Sequence, residues 1–280
     1  MMHLGLIIVS LAVAFGMRLV WCRDGATLQD WQPTLLGFIV PALLPIMTEI
    51  AIVSMGPRGH MVMYWEGWLS YGLSAGILAI ALAWMLKLAI DGYRALQSVR
   101  HCERSQIGHY TCRILELELP YSAQVGFWNP ELVVSRGLLQ SLDESHLQAV
   151  LAHEAGHRHY RDTFWTFWLG GLRRLTAWLP ESDRLWHDLL LLREIRADRW
   201  ATQTVDPIVL AEALIQVAQA PQSVFSPVAA EFSLTLMGDR ITTRIQALLT
   251  PAPPQTARHP AQWLWFLVAL FPLLIVPFHY

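Results

Sequence analysis

The chain has 280 residues, of which 54% are hydrophobic and only 15% charged, against about 25% charged in ordinary soluble domains. This composition excludes an intrinsically disordered chain, and 20 basic against 22 acidic residues, without a basic block, argues against direct nucleic-acid binding. Three cysteines without CxxC spacing exclude a disulfide framework. The composition predicts a membrane protein with a polar portion attached.

Charged side chains are concentrated in the middle of the chain. Residues 1–90 hold four basic and four acidic side chains, and residues 259–280 hold none. A helix that crosses a bilayer needs roughly 20 apolar residues. The sequence therefore predicts three transmembrane helices in residues 1–90 (about 4–21, 35–55 and 67–90). A polar domain at 91–258 and a fourth transmembrane helix at 259–280 follow.

A few charged residues interrupt the apolar stretches. Arg18 and Glu49 lie towards the ends of the first two predicted spans, where we expect their side chains to extend to the membrane interface. For Glu49 a functional role is the alternative, because acidic residues inside membrane spans commonly have one. Arg173 and Arg174 lie in the middle of the aromatic stretch 164–180. A buried pair of arginines is costly in a membrane, so this stretch is predicted to be interfacial or re-entrant.

The positions of Lys and Arg predict the orientation in the membrane. Five basic residues lie between Lys87 and Arg113, whereas the loop before the third span contains only Arg58. Loops rich in Lys and Arg stay on the cytosolic side. The N-terminus is therefore expected outside and the polar domain in the cytosol.

Residues 141–162, SLDESHLQAVLAHEAGHRHYRD, predict a helix that begins with a capping box of Ser141 and Glu144. Within it, HEAGH at 153–157 is an HExxH motif. Histidines at positions i and i+4 share one helix face, so His153 and His157 can bind one Zn²⁺. Glu154 is then placed to act as general base on the zinc-bound water.

A catalytic zinc site needs a third protein ligand. Glu194, in the segment REIRAD at 193–198, is the preferred candidate, and its alternative interpretation is a helical charge paired with Arg193. Asp198, one turn later, can accept a hydrogen bond from a ligating histidine and so support the site. Glu181 is the second candidate ligand, although it follows Pro180 in a turn-like segment.

HEAGHRHYRD followed by EIRAD, with three predicted spans before and one after, resembles the integral-membrane gluzincin metallopeptidases. The resemblance is greatest to the BlaR/MecR-type family of β-lactam sensor-transducers, and it covers roughly residues 4–280. It implies a mainly α-helical, polytopic protein with about four transmembrane helices. The cytosolic zinc protease domain would contain a small β element and one Zn²⁺ per chain.

The same resemblance implies roles for further residues. Asp162 matches a position near the zinc helix and is expected to support it, and Arg244, in RIQAL at 244–248, is expected to have a structural or active-site role. Residues 111–119, TCRILELEL, alternate as in a β-strand. This strand is interpreted either as an edge strand that binds substrate backbone, as in this protease clan, or as a supporting hairpin with Val133-Val134.

The chain departs from the BlaR/MecR-type pattern at its end. It stops at Tyr280, soon after the fourth predicted span, and has no SxxK serine motif. We therefore expect neither the C-terminal penicillin-binding sensor domain nor β-lactam sensing.

The expected function is that of a membrane-embedded zinc endopeptidase at the cytosolic face of a bacterial plasma membrane. Its partners would be the lipid bilayer and a protein or peptide substrate, for instance a cytosolic winged-helix repressor removed by regulatory proteolysis. One alternative is an HtpX-like or CaaX-type membrane protease for quality control or processing. The other is a non-catalytic membrane receptor with structural zinc.

Overall fold

The computed structural model describes residues 2–23, 30–58, 64–219, 237–250 and 264–278. It is mainly α-helical with one small sheet, which confirms the predicted fold class. The chain divides into two compact units. We call Met1–Leu88, Trp168–Leu190 and Thr256–Tyr280 the apolar unit, and Ala89–Phe167 and Leu191–Gln255 the mixed unit.

The helices of the described residues follow one another in chain order. They are α1 (Met2–Arg23), α2 (Trp31–Met55), α3 (Tyr64–Arg100), α4 (Arg136–Ser141), α5 (Glu144–His159), α6 (Asp162–Leu175), α7 (Ser182–Ala201), α8 (Pro207–Gln219), α9 (Met237–Leu249) and α10 (Trp265–Leu270). A 3₁₀ helix, Phe271–Phe278, continues α10.

Three of these helices, α1, α2 and α3, are long and apolar enough to cross a membrane. In α2, 67% of the apolar window is buried, against 17% in α1 and 6% in α3, so α2 is the core of the apolar unit. Of the predicted fourth span, residues 259–263 and 279–280 lie outside the described residues. The described part is helical and apolar but is shorter than a full span.

Arg18 and Glu49 do not extend to an interface, so that expectation was wrong. The Arg18 side chain is fully buried, and its Nη2 donates a hydrogen bond to the carbonyl oxygen of Phe38 on α2 at 3.1 Å. Its guanidinium also lies 5.4 Å from the centre of the Phe38 ring. Glu49 is buried as well. The packing of α1 against α2 gives Arg18 a polar partner inside the protein, where a lipid-exposed side chain would have to reach water.

The helix α6 has 14 residues, fewer than the roughly 20 that cross a bilayer. In the apolar unit, Arg173 of α6 forms an ion pair with Asp183 at 3.0 Å, and its guanidinium lies 5.6 Å from the ring centre of Trp186. Leu169 and Leu185 pack with Trp186 and with Phe38. This arrangement is compatible with the predicted interfacial or re-entrant segment.

The sheet of the mixed unit contains β1 (Glu103–Ile107), β2 (Tyr110–Leu115), β3 (Ser122–Val125) and β4 (Glu131–Ser135), in the order β1-β2-β4-β3. β2 pairs with β1 antiparallel and with β4 in parallel. The edge-strand interpretation of residues 111–119 was therefore wrong, because β2 is an inner strand. The strand does pair with Val133-Val134 as the other interpretation predicted, but the pairing is parallel and not a hairpin. β3 pairs antiparallel with β4 and forms one edge of the sheet, and β1 forms the other.

The helix α5 packs its apolar stripe into the core of the mixed unit. Leu147 and Leu151 lie there with Val134 of β4 and Leu210 of α8. Its N-cap is Asp143, whose carboxylate accepts a hydrogen bond from the backbone N–H of His146 at 2.9 Å.

The predicted capping box was wrong by two residues. Ser141 belongs to the end of α4, where its hydroxyl donates to the carbonyl oxygen of Leu138. Leu142 has an extended backbone and separates the two helices, so Asp143 is the first residue that can cap α5.

Candidate metal and catalytic site

The structure brings together the three residues that were predicted to bind zinc. The Nε2 atoms of His153 and His157 lie 3.0 Å apart on α5. Oε2 of Glu194, on α7, lies 3.4 Å from the first and 3.6 Å from the second. Among the described residues, these three form a group that could hold a metal ion. Two imidazoles and one carboxylate are a ligand set suited to Zn²⁺.

Gly156, inside the HExxH motif, allows α5 and α7 to approach closely. A Cβ atom at this position would lie 3.0 Å from the carbonyl oxygen of Ala197 and 3.2 Å from Cβ of Trp200. The backbone of α7 would then have to move away. A residue without a side chain at 156 therefore lets Glu194 reach the two histidines.

Each histidine has a carboxylate behind it. Oδ1 of Asp198 lies 2.8 Å from Nδ1 of His153, and Oδ2 of Asp162 lies 2.7 Å from Nδ1 of His157. The contact at His157 is a hydrogen bond, and a carboxylate that accepts the Nδ1 proton leaves the lone pair on Nε2 and fixes the orientation of the ring. At His153 the carboxylate lies within ion-pair distance of Nδ1. Both Nε2 atoms are thereby directed towards Glu194.

Each of these carboxylates is held in turn by an arginine. Arg244 of α9 binds Asp198 through two hydrogen bonds of 2.8 and 2.7 Å. Burial opposes ionisation of Asp198, but the hydrogen bonds and charge of Arg244 hold the pKa of this carboxyl below its ordinary value. Arg196 donates a hydrogen bond to Asp162.

Glu194 uses its two oxygens differently. Oε1 accepts a hydrogen bond from Nη2 of Arg193 at 2.6 Å, while Oε2 faces the histidines. Burial raises the pKa of Glu194, but Arg193 and His157 outweigh that effect and lower it well below the usual value. Pairing with Arg193 keeps the carboxylate charged beside the histidines, so this ion pair is compatible with Glu194 as a metal ligand.

Arg193 also donates a hydrogen bond to Oγ1 of Thr166 on α6, at 3.1 Å. Sequence reasoning treated Arg193 only as a competing partner of Glu194. The sole signal for its role was its position beside the candidate ligand. Glu181, the second candidate ligand, pairs with Arg184 at 3.2 Å and does not belong to the metal-binding group.

Glu154 is buried, and its two oxygens have different surroundings. Oε1 accepts a hydrogen bond from Oγ of Ser122 at 2.8 Å, whereas Oε2 has no hydrogen-bond partner in the part of the chain that the structure describes. Gln124 donates to the carbonyl oxygen of Glu154 at 3.1 Å. Sequence reasoning missed Ser122 and Gln124, because the short polar segment SAQV carries no clear strand signal.

The electrostatics of the site favour a cation. Burial lowers the pKa of His157, but the charge of Glu194 and the hydrogen bond that His157 donates to Asp162 outweigh it and raise this pKa to about 9. The protein without metal thus holds a proton among its buried carboxylates. A divalent cation in place of this proton would compensate the negative charge of the carboxylates in the same way.

The comparisons with known proteins bear on part of the chain. Residues 120–182 match the model of peptidase family M48. This stretch covers less than a quarter of the chain and includes β3, the HExxH motif and Asp162, but not Glu194. No curated protein and no solved structure matches the chain. The match supports a metallopeptidase, and M48 peptidases are zinc-dependent. Residues 120–182 are therefore similar to peptidase family M48, within a mainly helical protein whose described residues include three candidate membrane helices.

Proposed function

We propose that this protein is a membrane-embedded zinc endopeptidase that hydrolyses peptide bonds at the cytosolic face of a bacterial plasma membrane. The observation that carries the proposal is the meeting of His153, His157 and Glu194 beside the buried carboxylate of Glu154. A structural zinc site is closed by four protein ligands, whereas a catalytic site has three and an open position. Three candidate ligands next to a potential base favour the catalytic kind.

His153, His157 and Glu194 would hold the zinc ion. When bound, Zn²⁺ lowers the pKa of a coordinated water and polarises the substrate carbonyl. Glu154 would accept the proton of the attacking water at Oε2, the oxygen without a partner among the described residues, and deliver it to the leaving amine. Ser122 would hold the other oxygen and so keep the carboxylate in one orientation.

The edge strand β3 is suited to bind the substrate backbone. Its outer side faces no other strand of the described sheet, and an extended peptide can add to such an edge through main-chain hydrogen bonds. Ser122 and Gln124 of this strand also contact Glu154. A peptide added to β3 would therefore run beside the general base.

The biological role that we propose is regulatory proteolysis of a cytosolic partner, such as a winged-helix repressor. The BlaR/MecR-type resemblance and the basic residues between Lys87 and Arg113 support it. Co-expression with a winged-helix repressor encoded beside this protein tests it directly. Cleavage of that repressor is expected, whereas broad cleavage of misfolded membrane proteins would favour a quality-control protease.

Glu154→Gln is the decisive variant for catalysis. It should retain one Zn²⁺ per chain, because Glu154 is not a ligand, and lower peptide hydrolysis at least ~10²-fold by removal of the base. Metal content by elemental analysis and cleavage of a peptide library, both on detergent-solubilised protein, measure the two effects. If the wild type binds zinc and cleaves nothing under any condition, the protein is a receptor with structural zinc.

The orientation is tested by labelling single cysteines in intact cells with a membrane-impermeant reagent. Cys22, Cys102 and Cys112 are first replaced by serine, and Ser145→Cys or Tyr280→Cys is then introduced. The cysteine at 280 should react from outside, and the one at 145 only after the membrane is opened. Labelling of 145 from outside would place the site on the wrong side for a cytosolic repressor.

A further inference from the structure

A cavity of about 210 Å³ lies in the mixed unit, next to the elements that carry the candidate site. Its lining consists of the loop Phe127–Pro130, which joins β3 to β4, together with Arg158, Arg161 and Thr163 from the end of α5 and the start of α6. Neither the proposed zinc ligands nor Glu154 belongs to this lining. The cavity is therefore a separate feature with its own chemistry.

One wall of the cavity is aromatic and firmly packed. The Phe127 ring lies 5.0 Å from the rings of both Phe164 and Phe167 and 4.9 Å from that of Trp128. Gly126 turns the loop with a φ of 127°, a conformation that disfavours other residues. Trp128 leaves 71% of its surface exposed, so its ring is accessible to a bound molecule.

The opposite wall is positively charged and unpaired. Arg158 and Arg161 are exposed, and neither guanidinium has an ion pair or a hydrogen bond with any residue that the structure describes. No acidic residue lines the cavity. Arg161 has a φ of 53°, in the left-handed region that residues other than glycine rarely adopt. This residue directly follows the C-cap of α5, a position at which a left-handed residue commonly ends a helix.

The cavity is placed to meet a substrate side chain. Arg158 directly follows the candidate ligand His157, and Thr163 directly follows Asp162, which contacts that histidine. The aromatic loop begins at the end of β3, the strand edge that contacts Glu154 through Ser122. A peptide added to this edge would pass the mouth of the cavity close to the bond that is cleaved.

We propose that this cavity is a subsite for an acidic side chain of the substrate, an inference that rests on the proposed peptidase function. The carboxylate of an Asp or Glu residue would pair with Arg158 and Arg161. Its methylene groups would lie against Phe127 and Trp128. Because the two guanidiniums are exposed, the preference should weaken as ionic strength rises.

The cleavage test uses two pools of randomised decapeptides, one in which every peptide contains a single Glu and one in which Gln replaces it. The zinc-loaded wild type in detergent should cleave the Glu pool with a kcat/KM about fivefold higher, and always at a fixed distance from the Glu, as expected for exposed ion pairs. Arg158→Gln and Arg161→Gln should remove this preference. Arg199→Gln, at an exposed arginine of the same unit, is the matched control and should keep it.

Charge reversal separates a binding role from a merely structural one. Arg158→Glu, alone or with Arg161→Glu, should turn the preference towards peptides with Lys at the same position. A variant that is only misfolded would lose cleavage of all pools equally. Equal cleavage of Glu and Gln pools by the wild type would overturn the subsite while the peptidase function stands.

A binding test does not depend on hydrolysis. Immobilised, zinc-loaded Glu154→Gln protein is incubated with both pools, and mass spectrometry gives the ratio of bound Glu to bound Gln peptides. Enrichment of Glu peptides that is lost in the Arg158 and Arg161 variants supports the subsite, even if no peptide is cleaved. Absence of cleavage would contradict only the proposed peptidase function. No enrichment, or its replacement by binding of phosphatidic-acid vesicles alone, overturns the acidic subsite.

Discussion

The two histidines of the site are held by the same kind of chain, an arginine, an aspartate and an imidazole, but the chains are built differently. His157 is supported by Asp162, five residues later, at the start of the next helix. His153 is supported by Asp198 of α7, which Arg244 of α9 holds through two hydrogen bonds. The contact of His157 with its aspartate is local in sequence, whereas that of His153 joins α5 to α7, and each aspartate takes its arginine from a further helix.

This difference decides how the two chains depend on the fold. The chain at His157 ends in Arg196, which also lies over the ring of Tyr160 at 4.1 Å and is about one-fifth exposed. The chain at His153 is more enclosed, with Asp198 1% exposed and Arg244 13% exposed. Substitutions in α9 should therefore weaken zinc binding, although α9 is far from the two histidines in sequence.

The largest loss of zinc binding is expected at Glu194, whose carboxylate lies next to both histidines. Glu194→Ala should abolish stable zinc binding, because only two ligands remain and three are needed. Glu181→Ala is the control and should leave the metal content unchanged, since Glu181 pairs with Arg184 outside the group. Elemental analysis of both purified variants measures this. If Glu181 proved essential instead, the ligand assignment would fail although a peptidase remained possible.

A second pair of variants compares the two arginines. Asp198→Asn should weaken zinc binding by about 10–100-fold, as changes behind a ligand do. Arg244→Gln should approach that effect, at about tenfold, because it leaves the buried Asp198 carboxylate uncompensated, whereas Arg196→Gln should cost about threefold. Competition with a zinc chelator gives the affinities. A stronger loss with Arg196→Gln than with Arg244→Gln would reverse the comparison.

The smallest effect is expected at Ser122, which touches neither histidine. Ser122→Ala should lower kcat by about three- to tenfold through the loss of one hydrogen bond to Glu154, with zinc affinity and KM unchanged. Ser122→Thr keeps the hydroxyl and should restore the rate. A rise in KM alone would show that Ser122 binds substrate and does not orient the base.

Sequence reasoning reached the residues of the site whose spacing is local or whose motif is distinctive. The i, i+4 spacing in α5 places two histidines on one face wherever the helix lies, and EIRAD places Glu194 and Asp198 on one face of α7 for the same reason. The apolar length of α1, α2 and α3 likewise indicated candidate membrane helices. Such features depend on helix geometry and composition, which the sequence of one segment is enough to determine.

Tertiary structure alone decided the rest. Which strand lies at the sheet edge depends on a parallel pairing of β2 with β4 that skips β3, and no local pattern in TCRILELEL or SAQV specifies it. The contact of Ser122 with Glu154 follows from that pairing. Arg18 is buried because α2 packs against it. Each of these contacts joins segments that are far apart in sequence, so the free energy that it contributes is gained only when the two segments pack together.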